Sequence, residues 1–217
     1  MAYTKYYYVH LPRAMQPLYD AVLQGMMQFE NEIHLPAISP EDVNRLLTAL
    51  DLDNPALFHV AFGKISFVCQ ADEVILQVRY AHTCTQARTL RARINARAYD
   101  LLKQTAGMGL TEKELFLQDK LISGKTYGVT PGREQDAQSL VGAMLDGVCT
   151  GEGVAKAFKY LCDLAQLTAI VAVGTAEGAV DGEMQAWNIV FHNGFAYRLD
   201  VTRAMFDRCG ETAFRAC

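Results

Sequence analysis

The chain has 217 residues, of which 51% are hydrophobic and 20% charged, with a formal net charge of −4. That balance supplies a sizeable core and excludes a mainly disordered chain, and the mild acidity gives no footprint for phosphate backbones or anionic lipid, so neither nucleic acid nor membrane is an expected partner. No apolar window is long enough to span a bilayer, and MAYTKYYYVHLPRAMQ at the start lacks the apolar run of a secretion signal, so the expected location is cytoplasmic.

In chain order, the periodicity from Pro12 to about Asn54 is helical. RAMQPLYDAVLQGMMQF lines up Leu18, Ala21, Val22, Met26 and Phe29 on one face, and SPED predicts a helix start with Ser39 as cap and a proline in the first turn. ALFHVAFGKISFVCQADEVILQVRYAH has the alternation and β-branching of short strands joined by turns. A long helix over about Thr85 to Thr105 follows, on which the basic stretch RTLRARINAR reads as a solvated face. TEKELFLQDKLISGKTYG predicts a helix capped at Thr111 and stopped near Gly124, and Gly128 to Asp136 reads as an exposed loop.

The last third carries most information. A helix over QSLVGAMLDG leads through VCTG into EGVAKAFKYLCDLAQL, where Val154, Ala157, Phe158, Leu161 and Ala165 form an apolar stripe. Strands follow at TAIVAVGTA, MQAWNIVFH and FAYRLDVT, with Asn193-Gly194 as a tight turn between the last two. A helix packed on an antiparallel sheet, an α+β fold, is the expected architecture. Six cysteines without a CxxC pair argue against a zinc site or disulfide framework, so no metal or other cofactor is expected, and Cys69 and Cys162 read as small buried hydrophobes.

Gly-Val-Cys-x-Gly ahead of a helix with Ala-x-Ala-Phe character, then a strand with Ala186-Trp187-Asn188, then a hairpin into Tyr197-x-x-Asp200-Val201-Thr202 resembles bacterial transglutaminase-like domains. The likeness runs from about Tyr6 to Cys217, most specifically over Gly142 to Thr202, with DNPALF and FLQDKLISGKTYG as weaker matches. It implies a papain/transglutaminase-like core over residues 111–217 behind an N-terminal helical and short-strand region over 1–110, or one continuous unit. In that family a cysteine at the N-terminus of the central helix attacks an amide carbonyl, a histidine takes its proton and an aspartate orients the histidine. Many relatives carry secretion signals, and the family usually continues into a further strand, so the stop at TAFRAC suggests truncation at Cys217.

Three positions of that pattern can be transferred, and two depart from it. Asp200 in RLDVT matches the orienting aspartate. Gln185 in MQAWN stands where the histidine belongs, and a carboxamide cannot act as a base near neutrality. His192 lies an odd number of residues further along the strand and so on its opposite face. If the alignment is anchored on Glu152 to Phe158, Gly151 takes the nucleophile position and Cys149 comes two residues early; if it is anchored on GVC-TG, Cys149 is the nucleophile.

The expected function is a non-catalytic transglutaminase-like domain whose former cleft, with Gly151, Trp187 and Asn188 at its wall, binds a peptide or protein or serves as scaffold. The alternative is an active cysteine protease, deamidase or transglutaminase with Cys149 as nucleophile, Gln185 as an oxyanion or orienting group and a base from elsewhere. An unrelated α+β domain in which Trp187, Asn188 and Asp200 are ordinary strand residues is the third reading.

Overall fold

The computed structural model describes residues 5–175, 184–192 and 194–201. The chain divides into one compact unit over Lys5–Thr89 and a second that begins at Leu90, within a single long helix.

The first unit opens with α1 (Tyr6–His10) and α2 (Gln16–Met27). The buried stripe of this region is Met15, Tyr19, Val22 and Met26, so the helix is rotated from the expected face and Ala21 is exposed. The buried carboxylate of Asp53 accepts from the backbone N–H of Tyr7 at 3.1 Å and of Tyr8 at 2.8 Å, capping α1 from a distant helix. That helix, α3 (Pro40–Asp53), starts as the sequence predicts: Ser39 Oγ accepts from the N–H of Asp42 at 3.1 Å. Between them Glu32–Pro36 forms β1, in a stretch read as helical; its alternation turns Ile33 and Leu35 inward over five residues, too short to register against the flanking helices. β1 pairs antiparallel with β3 (Glu73–Gln77), which pairs with β2 (Ser66–Cys69), giving the order β1-β3-β2. Edge position leaves β2 little to pack on, so Cys69 is exposed, contrary to the expectation of a buried thiol.

The second unit holds most of α4 (Cys84–Gln104), whose Ile94, Ala98 and Leu101 are buried while Arg93 and Arg97 face solvent, as predicted for a solvated basic face. α5 (Leu110–Ile122) is capped two residues earlier than expected, at Gly109, because Glu112 Oε2 reaches back to the Gly109 N–H at 2.9 Å. β4 (Thr126–Tyr127) pairs in parallel with β5 (Val148–Cys149), and between them come an exposed loop, α6 (Glu134–Ala137) and a π-helical turn over Gly142–Asp146 that ends on Gly147 at φ 83°.

The core of this unit is α7 (Gly151–Ala165), buried along almost its whole length. A two-residue link leads to β6 (Thr168–Thr175), which pairs antiparallel with β7 (Met184–His192), and β7 with β8 (Phe195–Leu199). Gly194 takes φ 79° in the β7–β8 turn, and Asn193 lies outside the described residues. Helix on antiparallel sheet is the α+β arrangement expected of this region.

Candidate functional site

The approach to α7 is built from backbone. Thr150 caps the helix, its Oγ1 accepting from the Gly153 N–H at 3.4 Å. The Ala137 carbonyl accepts from the Thr150 N–H at 2.9 Å and from its hydroxyl at 3.3 Å. A Cβ on Gly153 would stand 2.2 Å from the Ala137 oxygen, and one on Gly142 2.5 Å from the Val148 oxygen, so both glycines are required for the Asp136–Ser139 turn to lie against the helix start. Arg133 holds that turn from outside, at 2.9 Å from the Asp136 carboxylate and 2.6 Å from that of Asp146.

Gly151 is the first residue of α7 and is buried. Cys149 lies in β5, upstream of the cap and fully sealed from solvent, so its sulfur does not start the helix. Burial pushes its thiol up to about 11, offset in part by the ammonium of Lys125. Lys125 directly precedes β4, and the parallel register, Thr126 with Val148 and Tyr127 with Cys149, puts its side chain on the Cys149 side of the ribbon. Burial lowers the Lys125 amine, Cys149 and Asp146 counteract that, and Arg97 adds to it.

On β7 the buried residues are Ala186, Asn188 and Val190, and this face meets α7. Asn188 Nδ2 donates to the carbonyls of Ala155 on α7, at 2.9 Å, and Ile170 on β6, at 3.1 Å. With no exposed surface, Asn188 joins helix to sheet and does not line a cleft. Alternation puts the exposed Gln185 and the half-buried Trp187 on the other face. There the indole lies over Gly174, where a Cβ would be 2.9 Å from its Cη2, and the Arg198 guanidinium stacks on it at 4.2 Å. Arg198 also pairs with Asp200 at 3.0 Å. Gln185, Trp187 and Asp200 therefore share one face of the sheet, while His192 falls on the face of Asn188.

The structure thus brings Gln185 and Asp200 to the same sheet face and leaves Gly151 and Cys149 on the α7 side. Nothing local marks Lys125: a lysine in SGKTYG carries no sign that its strand will pair beside VC. Among the described residues no group of His, Cys, Asp and Glu is arranged to hold a metal ion, and no helix is long and apolar enough to cross a membrane.

No protein-family model matches the chain. No curated protein matches it either. Among solved structures, a crystal structure of a TGase matches with a TM-score of 0.44 and 14% identity, over 79% of this chain. The chain spans 50% of the length of that structure.

Proposed function

We propose that this chain is a transglutaminase-like domain that no longer catalyses, and that the sheet face carrying Gln185, Trp187 and Asp200 serves as a peptide- or protein-binding site or as scaffold. The observation that supports the reading is at the head of α7: its first residue, Gly151, carries no nucleophile, and the neighbouring thiol of Cys149 is sealed and held protonated by burial. Gln185 neither gains nor loses a proton near neutrality and so cannot serve as a base, and the carboxylate of Asp200 is engaged by Arg198. The test is a direct assay. Incubated with a glutamine-containing peptide, with and without a primary amine, the protein releases no ammonia, incorporates no amine and cleaves no amide bond. Turnover that Cys149→Ser abolishes would overturn the reading.

A second reading rests on Lys125. An amine lowered by burial and electrostatically coupled to a thiol is a candidate base for a Cys149 nucleophile, the missing member of a live cysteine enzyme. On this reading turnover is lost in Lys125→Met as well as in Cys149→Ser.

A further inference from the structure

The β7–β8 hairpin fixes which backbone groups β8 turns outward. His192 and Phe195 pair directly across the turn, so they form a hydrogen-bonded pair, and alternation makes Val190 with Tyr197 and Asn188 with Leu199 the next two. Ala196 and Arg198 therefore point their N–H and C=O groups away from β7. β8 ends the order β6-β7-β8, and among the described residues these four groups have no partner. The side chains beside them are open as well: Phe195 is 76% exposed and Tyr197 38%, with the Tyr197 hydroxyl bonded to Glu114 on α5.

Strand edges of proteins that stay apart usually carry lysine, proline or a bulge. β1, an edge of the sheet in the first unit, follows that practice with exposed Glu32, His34 and Pro36. FAYRL has neither lysine nor proline, and its register with β7 runs without a bulge. Its one charge is engaged within the chain: Arg198 lies on Trp187 at 4.2 Å and pairs with Asp200 at 3.0 Å.

We propose that β8 is a dimerisation edge and that its occupant is β8 of a second copy of this chain. Two copies of one strand pair antiparallel about a two-fold axis, and one register uses all four outward groups. It sets Ala196 opposite the second copy's Arg198, the two Tyr197 rings opposite each other on the axis, and Phe195 opposite Leu199. Sliding one way brings the two Arg198 side chains together, and sliding the other way leaves Arg198 opposite the turn at Gly194. The chosen register makes four backbone hydrogen bonds, sets apolar and aromatic side chains against each other and opposes no like charges. Two three-stranded sheets become one of six strands, with α7 on the same face in both copies. The contact is short: two five-residue strands bury less than the roughly 1,200 Å² of a standard interface, so the dimer is weak and concentration-dependent. Self-pairing at β8 is independent of any chemistry at the head of α7.

Sedimentation of the whole chain over about a hundredfold range of concentration, up to about 1 mM, tests this; the mass should rise toward twice that of one chain. Ala196→Pro removes one outward N–H without touching the β7 ladder, and Phe195→Lys puts a charge on each side of the axis. Both variants stay monomeric throughout with the wild-type circular dichroism, and Phe195→Lys, which changes a side chain already exposed, stands in if the proline variant fails to fold. Tyr197→Cys reads the register. A non-hydrogen-bonded antiparallel pair sets its Cα atoms about 4.5 Å apart, within disulfide reach, so mild oxidation joins two chains through position 197, as located by peptide mass spectrometry. A wild-type chain that stays monomeric across the range overturns the proposal, as does a dimer that survives both Ala196→Pro and Phe195→Lys or one that does not cross-link at position 197. Amides of Ala196 and Arg198 that are protected from hydrogen exchange in the monomer would show the edge covered within one chain, and overturn it too.

Discussion

The chemistry at the head of α7 can be tested by thiol labelling, with the chain providing its own reference. Cys149 has no exposed surface and its thiol is pushed from the usual 9 to about 11. Alkylation consumes the thiolate, so at a pH well below both values a two-unit rise cuts the reactive fraction by about a hundredfold, before any further loss from lack of access. Cys69, exposed on β2, reports what iodoacetamide does to an open thiol in the same tube. Under native conditions near neutral pH, peptide mass spectrometry should therefore find Cys69 modified first and Cys149 at least about a hundredfold more slowly, with the gap closing in denaturant. Lys125→Met removes the ammonium that partly offsets burial and should slow Cys149 further. Selective modification of native Cys149 at a rate within about tenfold of Cys69 would refute the reasoning, and would favour the second reading, in which Lys125 activates the thiol.

Lys159→Met leaves the buried Asp163 carboxylate without its cation and should cost about 3–5 kcal/mol in urea unfolding, whereas Lys159→Met with Asp163→Leu recovers most of it; equal costs would show that the pair is not buried in solution. Gly153→Ala drives a Cβ into backbone oxygen and should destabilise by about 1–3 kcal/mol or more, while Gly63→Ala, with nothing within 4 Å, should leave the melting temperature nearly unchanged. His34 is held above its ordinary 6.5, chiefly by its bond to Glu73. The contribution of that raised group is complete below 6.5 and disappears as pH rises through the folded value, so an NMR titration should find its midpoint lowered in Glu73→Gln.

The parts of the fold legible in sequence are those with a local cause. Ser39 begins α3 because its side chain takes an orphan N–H and Pro40 needs none. The strand alternation of MQAWNIVFH settles which residues share a face with Gln185, and the register keeps His192 on the other. What escaped depended on distant partners. Lys159 and Asp163 look like solvated positions on an amphipathic helix, yet α5 and the sheet enclose α7 on both sides, so the two charges satisfy each other inside. The influence of Lys125 on Cys149 follows the two-residue parallel bridge that joins β4 to β5, a pairing with no local sign in the sequence. The family pattern puts Asn188 on a cleft wall; strand parity turns it toward α7, where its amide donates to the carbonyls of Ala155 and Ile170.

Because Gly142 and Gly153 meet main-chain atoms of the Asp136–Ser139 turn, the shape of the α7 approach depends on two absent side chains more than on any that are present. For protein engineering this sets the boundaries of a library. Glu152 is the position there that can be randomised in search of a new nucleophile, because the Thr150 side chain caps the helix and Cys149 and Gly151 are buried. Variation at either glycine would instead displace the turn, and with it the anchoring of every candidate in the library.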